Sequence, residues 1–145
     1  MTNRRLTTHL IVAIALLAGL WGAQASAQPK AAAAGAPAPT GFKRTELQRH
    51  DLSTPGHETV QARGDFEPGA IVPKHTHPGE EVGFVLSGEL TVEVEGKPAQ
   101  TFKAGDAFFV PAGTVHAGKN NSKAPTVVLS TYIVEKGKPL ATMVK

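Results

Sequence analysis

From Gly41 onward the apolar residues do not recur at the 3.6-residue spacing of an amphipathic helix. They come in short β-branched and aromatic runs cut by Gly and Pro every several residues, which is the signature of an all-β chain. The pattern predicts strands over residues 43–49, 58–66, 70–77, 81–86, 90–95, 99–103, 107–110 and 126–134. Pro68-Gly69, Pro78-Gly79, Ser87-Gly88, Gly96-Lys97-Pro98, Ala104-Gly105-Asp106 and Pro111-Ala112-Gly113 punctuate them, supplying the positive or fixed φ that tight connections need. Leu90, Val92 and Val94 alternate with Thr91, Glu93 and Glu95, so that strand has one wet face. The 81–86 run differs: Val82, Phe84 and Leu86 lie opposite Glu81, Gly83 and Val85, leaving both faces largely apolar. So many short strands in so little chain must pack as two sheets or close on themselves, because an open sheet exposes long edges. A jelly-roll barrel satisfies this. The second apolar face needs a cover, from the N-terminal strands or from a partner subunit, and a homodimer is expected.

The first residues follow another logic. Arg4 and Arg5 lead an unbroken apolar run over 10–20, and Ala25-Ser26-Ala27 follows. A spanning helix needs roughly 20 apolar residues, whereas an export signal needs about 7 to 15 before a small-residue cut. Residues 1–27 are therefore expected to be a signal peptide, with an uncleaved anchor as the competing reading, and the protein to be periplasmic or secreted, with no membrane attachment after cleavage. Arg4-Arg5 hints at a twin-arginine route, but Thr7 and Thr8 stand where that motif wants apolar residues, favouring the general secretory route. Residues 28–40, almost all Ala, Pro and Gly, read as a flexible linker; a short helix over 31–34 competes, against the flanking prolines and Gly35. Residues 41–145 form a single domain.

Removing the signal removes two arginines and no acid, so the formal charge of +3 falls to about +1. No Lys/Arg cluster remains, and a nucleic-acid partner is not expected. The chain has no cysteine, so no disulfide supports it and no lipid-anchoring cysteine stands at the cut.

Histidines carry the candidate chemistry. His75 and His77 are two apart on a predicted strand, so they share a face with Cα atoms roughly 7 Å apart, near enough to converge on one ion. The Pro78-Gly79 turn returns Glu81 beside them, and a later hairpin brings His116. His50 and His57 lie in a polar stretch outside this pattern and read as solvated or capping residues.

These residues resemble the cupin superfamily. The first cupin motif, G-x5-H-x-H-x3-E-x6-G, is met by Gly69, His75, His77, Glu81 and Gly88; the second, G-x5-P-x-G-x2-H-x3-N, by Gly105, Pro111, Gly113, His116 and Asn120. The 16 residues between Gly88 and Gly105 resemble the spacing of compact bacterial members. The likeness covers roughly residues 41–134. It implies a double-stranded β-helix of six to eight strands with one metal inside the mouth, held by His75, His77, Glu81 and His116. Glu80 offers a rival register, but only Glu81 keeps the three-residue spacing, and Asn120 is expected to stabilise a turn.

Three imidazoles and a carboxylate suit Fe, Mn, Co, Ni, Cu or Zn without naming one, and leave one or two coordination sites open. Gly83 shares the parity of Glu81, so it either leaves room for a ligand or marks a bend. Two functions follow. One is a metal-dependent enzyme on an oxygen-rich small molecule, with dioxygenation of a polyphenol or enediol leading and lyase, isomerase or decarboxylase chemistry using the same residues. The resemblance to quercetinase-like cupins implies that Glu81 is then the catalytic base. The other is a non-catalytic cupin that binds a metal or small ligand. Acid/base groups inside the barrel separate the two. Gln61, Arg63, Gln100, Thr131 and Tyr132 are the polar candidates, and each is expected to face solvent unless the structure turns it inward. No helix-turn-helix, phosphate loop or nucleophile elbow is present.

Overall fold

The computed structural model describes residues 38–144. The expected signal sequence and most of the expected linker lie outside them, and Thr40 already opens a strand. The described residues form nine strands and no helix: β1 (Thr40–Asp51), β2 (His57–Thr76), β3 (Gly79–Ser87), β4 (Glu89–Val94), β5 (Gln100–Lys103), β6 (Ala107–Val110), β7 (His116–Lys119), β8 (Thr126–Glu135) and β9 (Thr142–Met143). β7 and β9 were not expected. Their sequences, His-Ala-Gly-Lys and Thr-Met, carry no β-rich run, and only pairing with neighbours makes them strands.

β2 organises the barrel. Two strands were expected over 58–66 and 70–77, and the structure joins them into one strand that bends at Glu67–Gly69 and changes its pairing partners there. Its first half pairs with β8, from His57↔Glu135 to Phe66↔Thr126, and with β1 on its other side. Its second half pairs with β7 through His75↔His116 and with β9 through His75↔Met143. Gly69 makes the bend with φ +77°, where a side chain would be strained. Asn120 staples it. This buried amide donates to Phe66 O, Glu67 O and Ala124 O at 3.2, 3.1 and 2.8 Å, and its oxygen accepts from the Ser122 amide and hydroxyl. That matches the turn-stabilising role expected of Asn120.

The strand path runs β5-β4-β7-β2-β8-β3-β6, with β1 and β9 attached to β2. The β5–β6 turn bonds back to β3, Gly105 N to Val85 O at 2.9 Å and Val85 N to Asp106 O at 3.0 Å, so the two ends of the path meet. This is the expected all-β jelly-roll barrel. The inward row of β4 is the one read from the sequence, with Leu90 and Val92 buried, and Val85 from β3 and Val128, Tyr132 and Val134 from β8 join it in the core. Each large apolar side chain so removed from water contributes about 1.5–3 kcal/mol.

β3 is apolar on both faces, as expected. Val82, Phe84 and Leu86 remain 42–47% exposed, and Phe109, the register partner of Val82, is 58% exposed. β1 does not cover them, because it lies in the sheet beside β2. Gly83 does not leave ligand space. A Cβ there would sit 2.0 Å from the Phe108 ring, so the missing side chain admits Phe108 to the core.

Candidate metal centre

His75 is the penultimate residue of β2, His77 follows one residue past its end, Glu81 points inward from β3, and His116 opens β7 opposite His75. All four are buried. The two turns are tied together where the Gly113 amide donates to His77 O at 3.0 Å. Gly113 has φ +68°, a conformation glycine takes without steric cost. The Pro-x-Gly of the second motif thus positions the first motif's histidine.

The imidazoles stand with ring centroids 4.2–5.0 Å apart, and one nitrogen from each lies within 4.8 Å of the others. Each Nδ1 faces a backbone carbonyl: His75 to Pro73 O at 2.8 Å, His77 to Leu140 O at 2.6 Å, His116 to Thr114 O at 3.0 Å. A carbonyl only accepts, so each Nδ1 carries the proton and each Nε2 keeps its lone pair. This is the tautomer that a metal ligand needs, and the carbonyl partner fixes its ring.

The lone pairs are otherwise stranded. Nε2 of His77 and of His116 are buried without a hydrogen-bond partner, and Glu81 Oε2 lies 3.2 and 3.3 Å from them. Burial pulls the Glu81 carboxyl up, but where a proton sits on Nε2 of His116 or His77 in place of a cation, its hydrogen bond and charge outweigh burial and hold the group below the usual carboxylate range. Glu81 is therefore an anion at neutral pH. His75 is pushed down to about 4 by burial and by His116, despite its bond to Pro73, and is neutral. A buried carboxylate facing imidazole lone pairs is costly, and a cation among them removes the cost. The donor set fits a divalent transition metal.

Beyond these four, Ser130 Oγ donates to Glu81 Oε1 at 2.7 Å, and the Tyr132 ring packs on His77 at 4.7 Å between centroids. Burial, then the charge of Glu81, pushes the Tyr132 phenol up, so it stays protonated. Both residues line a cavity of about 50 Å³ with His75, Glu81 and His116, walled by Phe108, Leu90, Val92 and Val128 and reached by Arg44. Of the polar candidates expected from the sequence, Tyr132 alone turns inward. Gln61 and Thr131 bond to each other at 3.2 Å on the outer face, Arg63 pairs with exposed Asp65, and Gln100 is exposed. Glu80 sits opposite Ile133 with the outward parity of β3, which leaves Glu81 to face the histidines. His50 and His57 lie away from the site, as expected, with Gln48 and Pro55 as partners.

Ser130, Arg44 and Leu140 were not foreseen. Ser130 was detectable by parity, since it shares the inward row of Val128 and Val134. Arg44 and the Leu140 carbonyl gave no local signal.

A family model described as the cupin domain matches residues 62–132. Among curated proteins, germin-like protein subfamily 2 member 2 of Arabidopsis thaliana is 43% identical over 86 residues, 54% of this chain and 39% of that protein. Nectarin-1 of Nicotiana plumbaginifolia is 41% identical over 76 residues, 49% of this chain and 33% of that protein. The chain spans about a third to two fifths of the length of the curated relatives it matches. Among solved structures, oxalate oxidase in complex with the substrate analogue glycolate superposes with a TM-score of 0.59 at 29% identity, over 79% of this chain and 60% of that one. A cupin-like protein of Thermotoga maritima gives 0.58 at 27% identity, over 73% and 78%.

Proposed function

This chain belongs to the cupin superfamily, and from that premise we propose that it is an exported, metal-dependent enzyme acting on a small oxygen-rich molecule, with an oxidation by O2 as the leading reaction. The proposed ligands are His75, His77, Glu81 and His116, and the metal is one of Fe, Mn, Ni, Cu or Zn. The observation that carries the reading is the set of Nε2 lone pairs, all with Nδ1 committed to carbonyls, converging on a buried carboxylate.

When bound, such an ion supplies Lewis-acid polarisation of a substrate oxygen and, if redox-active, a path for electrons. The chain's own residues do the rest. The histidines anchor, and Glu81 is proposed to accept the substrate's proton, with Ser130 holding its Oε1. Tyr132 presents a protonated phenol to developing negative charge. Phe108, Leu90, Val92 and Val128 exclude water, which strengthens each of these interactions. A cavity of about 50 Å³ suits a molecule of a few heavy atoms, or the oxygen-bearing end of a larger one. The likeness to oxalate oxidase bound to glycolate supports the same scale.

The test is metal content by mass spectrometry on protein exported and purified without added metal, beside a His75→Ala/His116→Ala variant, followed by oxygen uptake with short hydroxy and oxo acids. Near-stoichiometric metal in the parent, lost in the variant, supports the site. Metal without turnover of any such acid moves the protein to the non-catalytic binding reading. No metal in either form rejects both.

A further inference from the structure

We infer that Ser130 is a positioning residue that limits Glu81 to one oxygen on the metal, and so keeps a coordination position open for an incoming small molecule. The inference rests on the metal-centre reading above and adds how access of ligands to that centre is set.

Ser130 stands apart from its row. It lies on the inward face of β8 between Val128 and Tyr132, and its register partners are Ala62 on β2 and Gly83 on β3. Neither has a side chain that could accept a hydrogen bond. A buried hydroxyl without a partner is costly, and alanine would fill the same place without that cost. The partner comes from two residues along β3: Ser130 Oγ donates to Glu81 Oε1 at 2.7 Å, with both residues buried. The Tyr132 phenol, next in the row, interacts with both, so the polar side chains of this row converge on one carboxylate.

The bond divides the labour of that carboxylate. Oε1 is held by Ser130, while Oε2 faces Nε2 of His77 and of His116 at 3.2 and 3.3 Å. Two donors bound to one ion at about 2.1 Å stand roughly 3.0 to 3.4 Å apart in right-angled or tetrahedral geometry. Oε2 therefore already has the separation of a ligand beside two others. Oε1 would have to leave Ser130 to join it. Three imidazoles and one carboxylate oxygen are four donors on an ion that accepts five or six. A second oxygen from Glu81 would fill a position that a ligand needs.

The test uses the full chain, stripped of metal and reloaded with Co2+, whose visible absorption weakens as its coordination number rises. Azide, a small anion that binds open metal positions, is titrated into the parent, Ser130→Ala, Ser130→Thr, Ser130→Val and the outer-face control Thr131→Ala. Cobalt content and melting temperature are measured for each. Ser130→Ala is expected to keep its cobalt, absorb more weakly and bind azide about 10- to 100-fold less tightly, the equivalent of one charge-assisted hydrogen bond. Thr and Val share a shape and differ by the hydroxyl, so Ser130→Thr should follow the parent and Ser130→Val should follow Ser130→Ala. That pair carries the comparison if Ser130→Ala does not fold, and Thr131→Ala should match the parent. A lowered melting temperature with unchanged cobalt spectrum and azide affinity overturns the positioning role and leaves the hydroxyl a structural group. Ser130→Thr and Ser130→Val behaving alike overturns it too. A cobalt-loaded parent that ignores azide overturns the open position while the metal site stands, whereas a parent that takes up no cobalt removes the premise itself.

Discussion

At the scale of single residues, the centre is held by partners that are mostly backbone. Each imidazole is oriented by a carbonyl, so the histidines could be recognised by spacing while their tautomers became visible only in the fold. The depressed His75 gives a pH prediction. Its folded value of about 4 lies below its free value of 6.5, so the unfolded chain takes up a proton first as the pH falls. Stability is full above about pH 6.5 and is lost toward pH 4, by at most about 3 kcal/mol from this group. Urea unfolding of metal-stripped protein at pH 7, 5.5 and 4.5 reads it, and a flat midpoint across that window contradicts it. Gly83→Ala should cost about 1–3 kcal/mol or more, because its Cβ meets the Phe108 ring at 2.0 Å. A melt that does not shift would show that Phe108 has room to move.

At the scale of elements, β2 carries the design: one strand supplies His75 near its end and pairs with β1 and β8 along its first half and with β7 and β9 along its second. Its bend depends on Asn120, and Asn120→Ala strips a partner from the carbonyls of Phe66, Glu67 and Ala124. A loss of roughly 2–4 kcal/mol is expected, measurable by denaturant titration. The C-terminal segment matters more than its composition suggests. β9 pairs with His75 and Thr76, and Leu140 O fixes His77. Ending the chain after Lys138 should weaken metal affinity about 10- to 100-fold while the barrel stays folded, read by metal titration beside circular dichroism. An unchanged affinity would mean that another acceptor replaces Leu140.

At the scale of the molecule, one apolar surface is left over. Val82, Phe84, Leu86 and Phe109 form it on adjacent strands, with β6 at the end of the strand path. The barrel's own β1 does not reach it. We expect a second copy to cover it, since contiguous apolar surface of this kind is characteristic of interfaces. Light scattering should give a dimer, and Phe84→Glu with Phe109→Glu should give a monomer that keeps its metal. A monomeric parent at micromolar concentration contradicts this.

The sequence by itself determined the fold class, six of the strand positions closely, the inward parity of β4, and the residues brought to the centre. Period-two alternation and motif spacing are local, and pairing simply realises them. It did not determine that 58–66 and 70–77 are one bent strand, that His-Ala-Gly-Lys is a strand at all, or that Phe108 occupies the space at Gly83. Nor did it place Arg44, Ser130 and the Leu140 carbonyl at the site. Those depend on which strand lies beside which and on what fills the space between sheets, and neither is encoded within any one segment. The cavity is the clearest case: its walls come from seven strands, and only their closure decides which polar groups share it.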